Sequence, residues 1–346
     1  MVVLCDSEDD EALRSTFRQV FLKHHNEAPI PADSALDRPL LWKQLSELGA
    51  LEMAAPEADG GGGATLWQLC VLAQEAGHNA GSAGLVEHLA ATHFLGTIAV
   101  STFGDTVPKG HTVTLALAPS REGRWRNVLV SSGPSVVIGV HDGDVVAVQL
   151  DSPPRACQSG PLRFAAIELV QAEPSWLAGA VDFDHALDIW RILTAAFLVG
   201  VSESVVARTV EYVASRRQFG RVVGAYQAMQ HGLAELPGMI EGTRLLAGKA
   251  AWSLTERADP AEIDLARNDI TDGKALAAMA LLFGAETATA AVDRAVHYHG
   301  AIGAAAETGL HDFYHMARSL PVLLGPLSVQ RRHLADLLLE PTWNSP

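Results

Sequence analysis

Cysteine is scarce in this sequence. Cys5, Cys70 and Cys157 are the three among 346 residues, far apart and with no Cys-x-x-Cys pair. That argues against a disulfide framework or a thiolate zinc cluster and leads us to expect a reducing compartment, the cytoplasm. Basic residues are outnumbered: 25 Lys+Arg against 40 Asp+Glu leave a net charge of −15. Such a chain repels nucleic-acid backbones and anionic lipid, so neither is an expected partner. A few placed arginines and helix N-termini can still bind phosphate locally. No uninterrupted apolar run reaches the roughly 18–20 residues of a membrane span. The opening stretch, MVVLCDSEDDEALRS, turns acidic at once and has no cationic region before an apolar core, so no signal peptide is expected. Internal repeats and low-complexity tails are also missing.

Hydrophobic residues make up 48% of the chain and charged residues 19%, with aromatics at only 6%. Apolar positions filled by Ala, Leu and Val suit close-packed helices. Three textures follow one another. Residues 1–106 read as an N-terminal helical domain, with helices over 8–24, 40–48, 66–78 and 85–99. The run Ala55-Pro56-Glu57-Ala58-Asp59-Gly60-Gly61-Gly62-Gly63 interrupts them as a loop. Residues 107–181 form a small, trimmed middle β-domain, with strands over 112–118, 126–132, 136–140, 145–150 and 162–170. His141-Asp142-Gly143-Asp144 is a hairpin turn within it. Residues 182–346 are helical again, over 186–215, 225–257, 260–297 and 328–339, and read as a C-terminal bundle. The fold class is thus mostly α with an inserted β-domain.

One stretch carries most of the chemistry: Ser215-Arg216-Arg217-Gln218-Phe219-Gly220-Arg221-Val222-Val223-Gly224-Ala225-Tyr226-Gln227-Ala228-Met229-Gln230-His231. Arginine supplies forked donors for a pyrophosphate, Phe219 a flat face, and Gln227 an amide for a heterocycle edge. The same residues also fit a basic helix end with an aromatic plug. The second stretch is Val296-His297-Tyr298-His299-Gly300-Ala301-Ile302-Gly303-Ala304-Ala305-Ala306-Glu307. Its glycines suit close approach of backbone to a ligand, or an ordinary helix-ending turn.

In this order the two stretches resemble the acyl-CoA dehydrogenase family. Its Arg-x-Gln-Phe-Gly, Phe-Gln and Gln-His elements correspond to Arg216–Gly220, Tyr226-Gln227 and Gln230-His231. Its His-Gly-Gly-x-Gly element with a downstream Glu corresponds to His299–Gly303 and Glu307. Phe313-Tyr314-His315-Met316-Ala317-Arg318 is similar to the family's Tyr-Arg-Asp-Ala-Arg, and 47–61 to its Leu-Gly…Pro-Glu…Gly-Gly loop. The resemblance spans nearly the whole chain. It implies FAD shared across a subunit interface. Arg216, Gln218, Phe219 and Gln227 match positions that grip a neighbour's FAD, and Gly300 and Gly303 match positions beside its adenosine half. His297 stands where the family has a Gln that touches FAD; it either substitutes as a donor or the contact is lost.

Family chemistry needs a carboxylate to remove the α-proton of an acyl-CoA thioester while flavin takes the β-hydride. Most members carry that glutamate after Tyr-Arg-Asp-Ala-Arg; here the position is Leu324. Others place it before an arginine early in the long helix that follows the β-domain; here the pair is Trp190-Arg191, with Arg191 a candidate substrate contact. Neither Leu nor Trp accepts a proton. The family's Thr-Glu-Pro-x-Ala-Gly-Ser-Asp segment survives only as Pro119 in Leu117-Ala118-Pro119-Ser120-Arg121-Glu122, so the chain is not expected to enclose its own flavin ring.

These losses lead us to expect a base-deficient subunit. It would be completed by a second acyl-CoA dehydrogenase subunit bearing the glutamate, as in heteromeric actinobacterial enzymes of the steroid side-chain type, in a dimer-of-dimers heterotetramer. Two alternatives stay open: a self-sufficient enzyme with a relocated base such as Glu307, and a flavin-free scaffold. Asp188, two residues before Trp190, is expected on a different helix face. His311 and His315 are an i, i+4 pair without a third ligand, so no metal is expected.

Overall fold

A computed structural model describes residues 7–26, 39–81, 83–98, 106–108, 110–131, 133–172, 174–179, 183–255, 272–305 and 308–343. Four helices come first: α1 (Glu8–Asn26), α2 (Pro39–Glu47), α3 (Leu66–His78) and α4 (Gly84–Thr97). Seven strands follow: β1 (Thr112–Ala116), β2 (Arg124–Leu129), β3 (Ser135–His141), β4 (Asp144–Leu150), β5 (Ala156–Ser159), β6 (Leu162–Glu168) and β7 (Ser175–Gly179). The long helix α5 (Phe183–Ser215) leads into a two-residue ribbon, β8 (Arg217–Gln218) and β9 (Arg221–Val222). The chain closes with α6 (Gln227–Thr255), α7 (Gly273–His299), α8 (Leu310–Ser319) and α9 (Leu327–Trp343). The mostly helical architecture with an inserted β region is the one expected.

Local chemistry sets the element ends. α3 opens with a reciprocal cap: the Thr65 hydroxyl accepts from the Gln68 N–H at 3.2 Å, and the Gln68 side-chain oxygen accepts from the Thr65 N–H at 3.0 Å. α7 opens on Asp272, whose carboxylate accepts from the Lys274 N–H at 3.0 Å. The β3–β4 hairpin turns through Asp142 (φ 50) and Gly143 (φ 92), the left-handed pair that two-residue hairpins require. Two strands escape the sequence pattern. β5 is short and largely exposed, and β7 carries the exposed Trp176. The expected helix over 260–297 is seen as α7 from Gly273; its first part lies outside the described residues.

Strands β1 to β7 form two sheets, one in the order β1-β3-β4-β7 and one in the order β2-β6-β5, with β1 and β3 parallel. Period-two alternation divides the first sheet between two cores. Val136, Ile138, Val145 and Ala147 face the helices, while Val137, Val146 and Val148 face the second sheet around the buried Trp125. Both faces are therefore covered, which explains why β3 and β4 read as unbroken apolar runs.

α5 is the central helix. It crosses α3 backbone against backbone: a Cβ on Gly200 would lie 1.9 Å from the Gln74 carbonyl oxygen, and one on Gly77 would lie 2.0 Å from that of Phe197. Only glycine permits this crossing. α6 and α7 pack beside α5, and α8 and α9 pack on α7. Among the described residues, α5 and the stretch Gly273–Ala304 are long and apolar enough to cross a membrane. However, 83% and 72% of their most apolar windows are buried within the protein, as in core helices.

Candidate functional site

The dinucleotide-type motif folds differently from the sequence expectation. α5 ends at Ser215, where the helical pattern over 186–215 placed it, but the residues that follow are not a helix end. Arg217–Gln218 and Arg221–Val222 then pair as an antiparallel ribbon, turned by Phe219 (φ 51) and Gly220 (φ 81). Phe219 is 92% exposed, so it is no plug. A phenylalanine in the left-handed region stores strain of order 1 kcal/mol, and its ring gains nothing from burial in this chain. Arg216, Gln218 and Gln227 are exposed on the same surface, Gln227 as the first residue of α6. Arg221, which the sequence reading passed over, lies 3.7 Å from the Tyr226 ring centroid in a cation–π contact that braces the ribbon.

The glycine motif sits at the end of α7. Gly300 is its C-cap at φ 64, and a Cβ on Gly303 would lie 2.7 Å from the Val296 carbonyl oxygen. The chain's own turn therefore accounts for both glycines, without a ligand. His297 is exposed. His299 is buried, and its ring stacks on Tyr212, in the last turn of α5. Tyr298 donates from its hydroxyl to the Ala228 carbonyl of α6 at 3.2 Å. These contacts join the two motifs into one patch, and neither tyrosine was singled out from the sequence.

The two expected base seats are apolar and packed. Leu324 is half-buried against the main core, in the turn before α9. Trp190 is fully buried in α5. Glu307 lies outside the described residues. Arg191 is largely buried and donates to Asp188, so its charge is engaged within its own helix. Asp188 does not project to solvent: burial pushes its carboxyl up to about 6, with Arg191 opposing the shift. In the stunted family segment, the Ser120 hydroxyl pairs with His141 Nδ1 at 2.8 Å.

One residue escaped the sequence reading. Glu87, in the apolar helix α4, is 2% exposed, and its Oε1 accepts from the Trp190 indole N–H at 2.6 Å. Its Oε2 accepts from the Leu115 N–H of β1 at 3.4 Å. Burial pushes this carboxyl up to about 7, against the two hydrogen bonds. The neighbouring His88 accepts from the Val113 N–H at Nδ1, 3.0 Å away. Its proton therefore sits on Nε2, which donates to the Leu51 carbonyl at 3.0 Å. Burial lowers His88 to about 4. β1 is an edge strand, and Val113 and Leu115 are the alternate amides facing away from β3. Adjacent side chains of α4 thus cap a sheet edge that would otherwise be unpaired. The cavity bounded by Glu87, Trp42, Thr112, Thr114, Leu129 and Ser131 is about 20 Å³, room for one water. A carboxylate that is the single acidic residue of a largely apolar helix, next to a histidine, was the signal available for finding it.

Among the described residues no group of three or more His, Cys, Asp and Glu side chains converges as a metal site would. His311 and His315 meet edge to face with ring centroids 4.4 Å apart.

Comparisons with known proteins agree with this architecture. Residues 7–113 match the profile "Acyl-CoA dehydrogenase, N-terminal domain", and residues 178–339 match "Acyl-CoA dehydrogenase, C-terminal domain". The chain is 28% identical over 355 residues to acyl-CoA dehydrogenase IpdE2 of Mycobacterium tuberculosis, covering 98% of this chain and 99% of that protein. Among solved structures it is similar to the Tcur3481-Tcur3483 steroid ACAD, at TM-score 0.79 and 24% identity, over 96% of this chain and 98% of that one. It is also similar to the ChsE4-ChsE5 complex from Mycobacterium tuberculosis, at TM-score 0.78 and 20% identity, over 100% of both chains. With motif order, helix-sheet-helix architecture and both domain profiles in agreement, the chain belongs to the acyl-CoA dehydrogenase family of flavin-dependent oxidoreductases.

Proposed function

We propose that this chain is the base-deficient subunit of a heteromeric acyl-CoA dehydrogenase that dehydrogenates an acyl-CoA thioester between its α and β carbons. Its role would be to hold one end of an FAD seated mainly in a partner subunit. The observation that carries this reading is the strained, 92%-exposed Phe219 on its ribbon, beside exposed Arg216, Gln218 and Gln227. Among the described residues the ring gains no burial that would repay the arrangement, whereas a dinucleotide presented by a neighbour would.

The residues present fit the outer half of FAD and not its ring. Arg216 would pair with the pyrophosphate, Phe219 would lie against a flat face, and Gln218 and Gln227 would offer amides. His297, Gly300 and Gly303 would flank the adenosine half. The family segment that contacts the ring survives only as Pro119, and the cavity beside Glu87 holds about 20 Å³, so no ring seat is open at that place. Bound flavin supplies the acceptor for the β-hydride. On this reading the proton acceptor comes from elsewhere, because the two expected seats, Leu324 and Trp190, carry a hydrocarbon and an indole, and neither accepts a proton. A partner subunit of the same family, carrying the glutamate, completes the site. The similar structures, a two-component steroid ACAD and a ChsE4-ChsE5 complex, support a heteromer and a steroid-type thioester.

Co-expression tests this. Purified alone, the chain should carry little flavin. Paired with a glutamate-bearing family member, it should give a yellow, active complex. A fully flavinated, active homomer from this chain alone would overturn the reading, and a complex without flavin under any pairing would favour the scaffold alternative.

A further inference from the structure

The contact between Trp190 and Glu87 lies outside the residues proposed to hold flavin and calls for its own explanation. In members that use it, the seat now filled by Trp190 must bring a carboxylate within reach of the thioester's α-carbon, so the space in front of it is where substrate lies. Here that space belongs to the protein. The indole is fully buried, and its N–H is spent on Glu87, a residue 103 positions away on α4. The other oxygen of Glu87 takes an amide of β1. One carboxylate thus ties α4, the β region and α5 together. An isolated carboxyl in an apolar helix is costly unless its partners are fixed, and these partners are.

We propose that Trp190 is a permanent plug in this chain's own acyl seat and that Glu87 is its anchor, so that a thioester is excluded here and confined to the partner's site. Swinging the indole aside would leave its N–H and the Oε1 of Glu87 unpaired inside the protein, while the Leu115 N–H still held Oε2 in place. The contact therefore acts as a fixed closure and not as a gate. The same geometry counts against Glu87 as a relocated base: both of its oxygens are engaged, and the adjoining cavity admits only about one water. The inference rests on the base-deficient reading for its biological meaning, but its test needs neither flavin nor partner.

An unreactive S-alkyl coenzyme A thioether and free indole are the probes, with binding followed by calorimetry on the full chain. The wild-type chain should bind neither. Trp190→Gly, which vacates the volume of the indole, should bind indole at one per copy and gain thermal stability from it. Adding Glu87→Leu to that variant should weaken indole binding at least tenfold, because the ring nitrogen loses its acceptor. Wild-type chain that binds the thioether at one per copy overturns the proposal, and this arm does not depend on whether any variant folds. A folded Trp190→Gly protein that ignores indole overturns it as well. If Trp190→Gly does not fold, Trp190→Leu, a smaller truncation, should take up benzene, and a folded Leu variant that does not would count against the plug. A visible spectrum of the same chain paired with its partner reads the flavin question separately, so the two ideas can fail independently.

Discussion

The phenol ring of Tyr212 lies on the imidazole of His299, with centroids 4.1 Å apart and planes 20° apart, and its O–H donates to the His299 carbonyl at 3.4 Å. Tyr212 is four residues before Arg216, and His299 immediately precedes Gly300, so this stack sets the spacing between the arginine ribbon and the glycine turn. A stack of this kind contributes about 1 kcal/mol. Tyr212→Ala should therefore weaken flavin retention by the paired complex roughly five- to tenfold. Tyr212→Phe, which keeps the ring and loses a long hydrogen bond, should stay within about twofold. Flavin dissociation constants from fluorescence quenching measure both, and equal losses in the two variants would mean that the ring contact is idle.

Glu87 makes a pH-dependent prediction. Its folded carboxyl titrates at about 7, above its ordinary 4.5, because burial disfavours the charge. Below pH 4.5 folded and unfolded chains both hold the proton. As pH rises from 4.5 to 7 the unfolded chain releases it first, and stability falls until the cost is complete above pH 7, at about 3 kcal/mol. Glu87→Gln keeps an acceptor for the Trp190 indole and removes the titration. Its melting temperature relative to wild type should be higher at pH 8 than at pH 5. A difference that shrinks with rising pH would show that the carboxylate is ionised and welcome.

Much of this was legible in the sequence, and the illegible part has physical reasons. The helical period marked out α3 to the residue, because a Thr65–Gln68 cap fixes its start, and Asp142-Gly143 announced its hairpin by backbone preference alone. Such local signals say nothing of β5 or β7, whose short, partly exposed strands exist only because β6 and β4 pair with them. The ribbon at 217–222 was not foreseen: its residues fitted a dinucleotide grip or a basic helix end with an aromatic plug, and that Phe219 would share the turn conformation with Gly220 is not a residue preference. At the candidate site, the expected base seats rest on register alone, while Glu87 was missed because its meaning comes from Trp190, distant in sequence and adjacent only after α4 packs on α5.

His88 responds to pH in the opposite sense. Its imidazole is held neutral, with burial lowering it to about 4 from 6.5. The unfolded chain takes up a proton as pH falls from 6.5 to 4 while the folded chain resists, so this residue withdraws about 3 kcal/mol of stability across that window. His88→Gln supplies an acceptor for the Val113 N–H without a titrating ring. The variant should lose less stability than wild type between pH 7 and pH 4.5 in urea unfolding. Parallel pH profiles for the two proteins would place the acid sensitivity elsewhere.

Phe219 sets stability against function. Glycine adopts the φ of 51 found at this position without the steric cost a side chain incurs, and the ring it removes is 92% exposed. Phe219→Gly should therefore leave the isolated chain as stable as wild type or more stable, by up to about 1 kcal/mol, with Gly220 and the ribbon register unchanged. In the paired complex the same substitution should cost about tenfold in flavin affinity, since the flat face offered to the cofactor is gone. Thermal melts of the free chain and flavin titration of the complex give the two readings. Opposite signs are what a ligand clamp produces. A destabilised free chain would instead mean that Phe219 packs within its own subunit in solution, and an undiminished flavin affinity would remove it from the cofactor site.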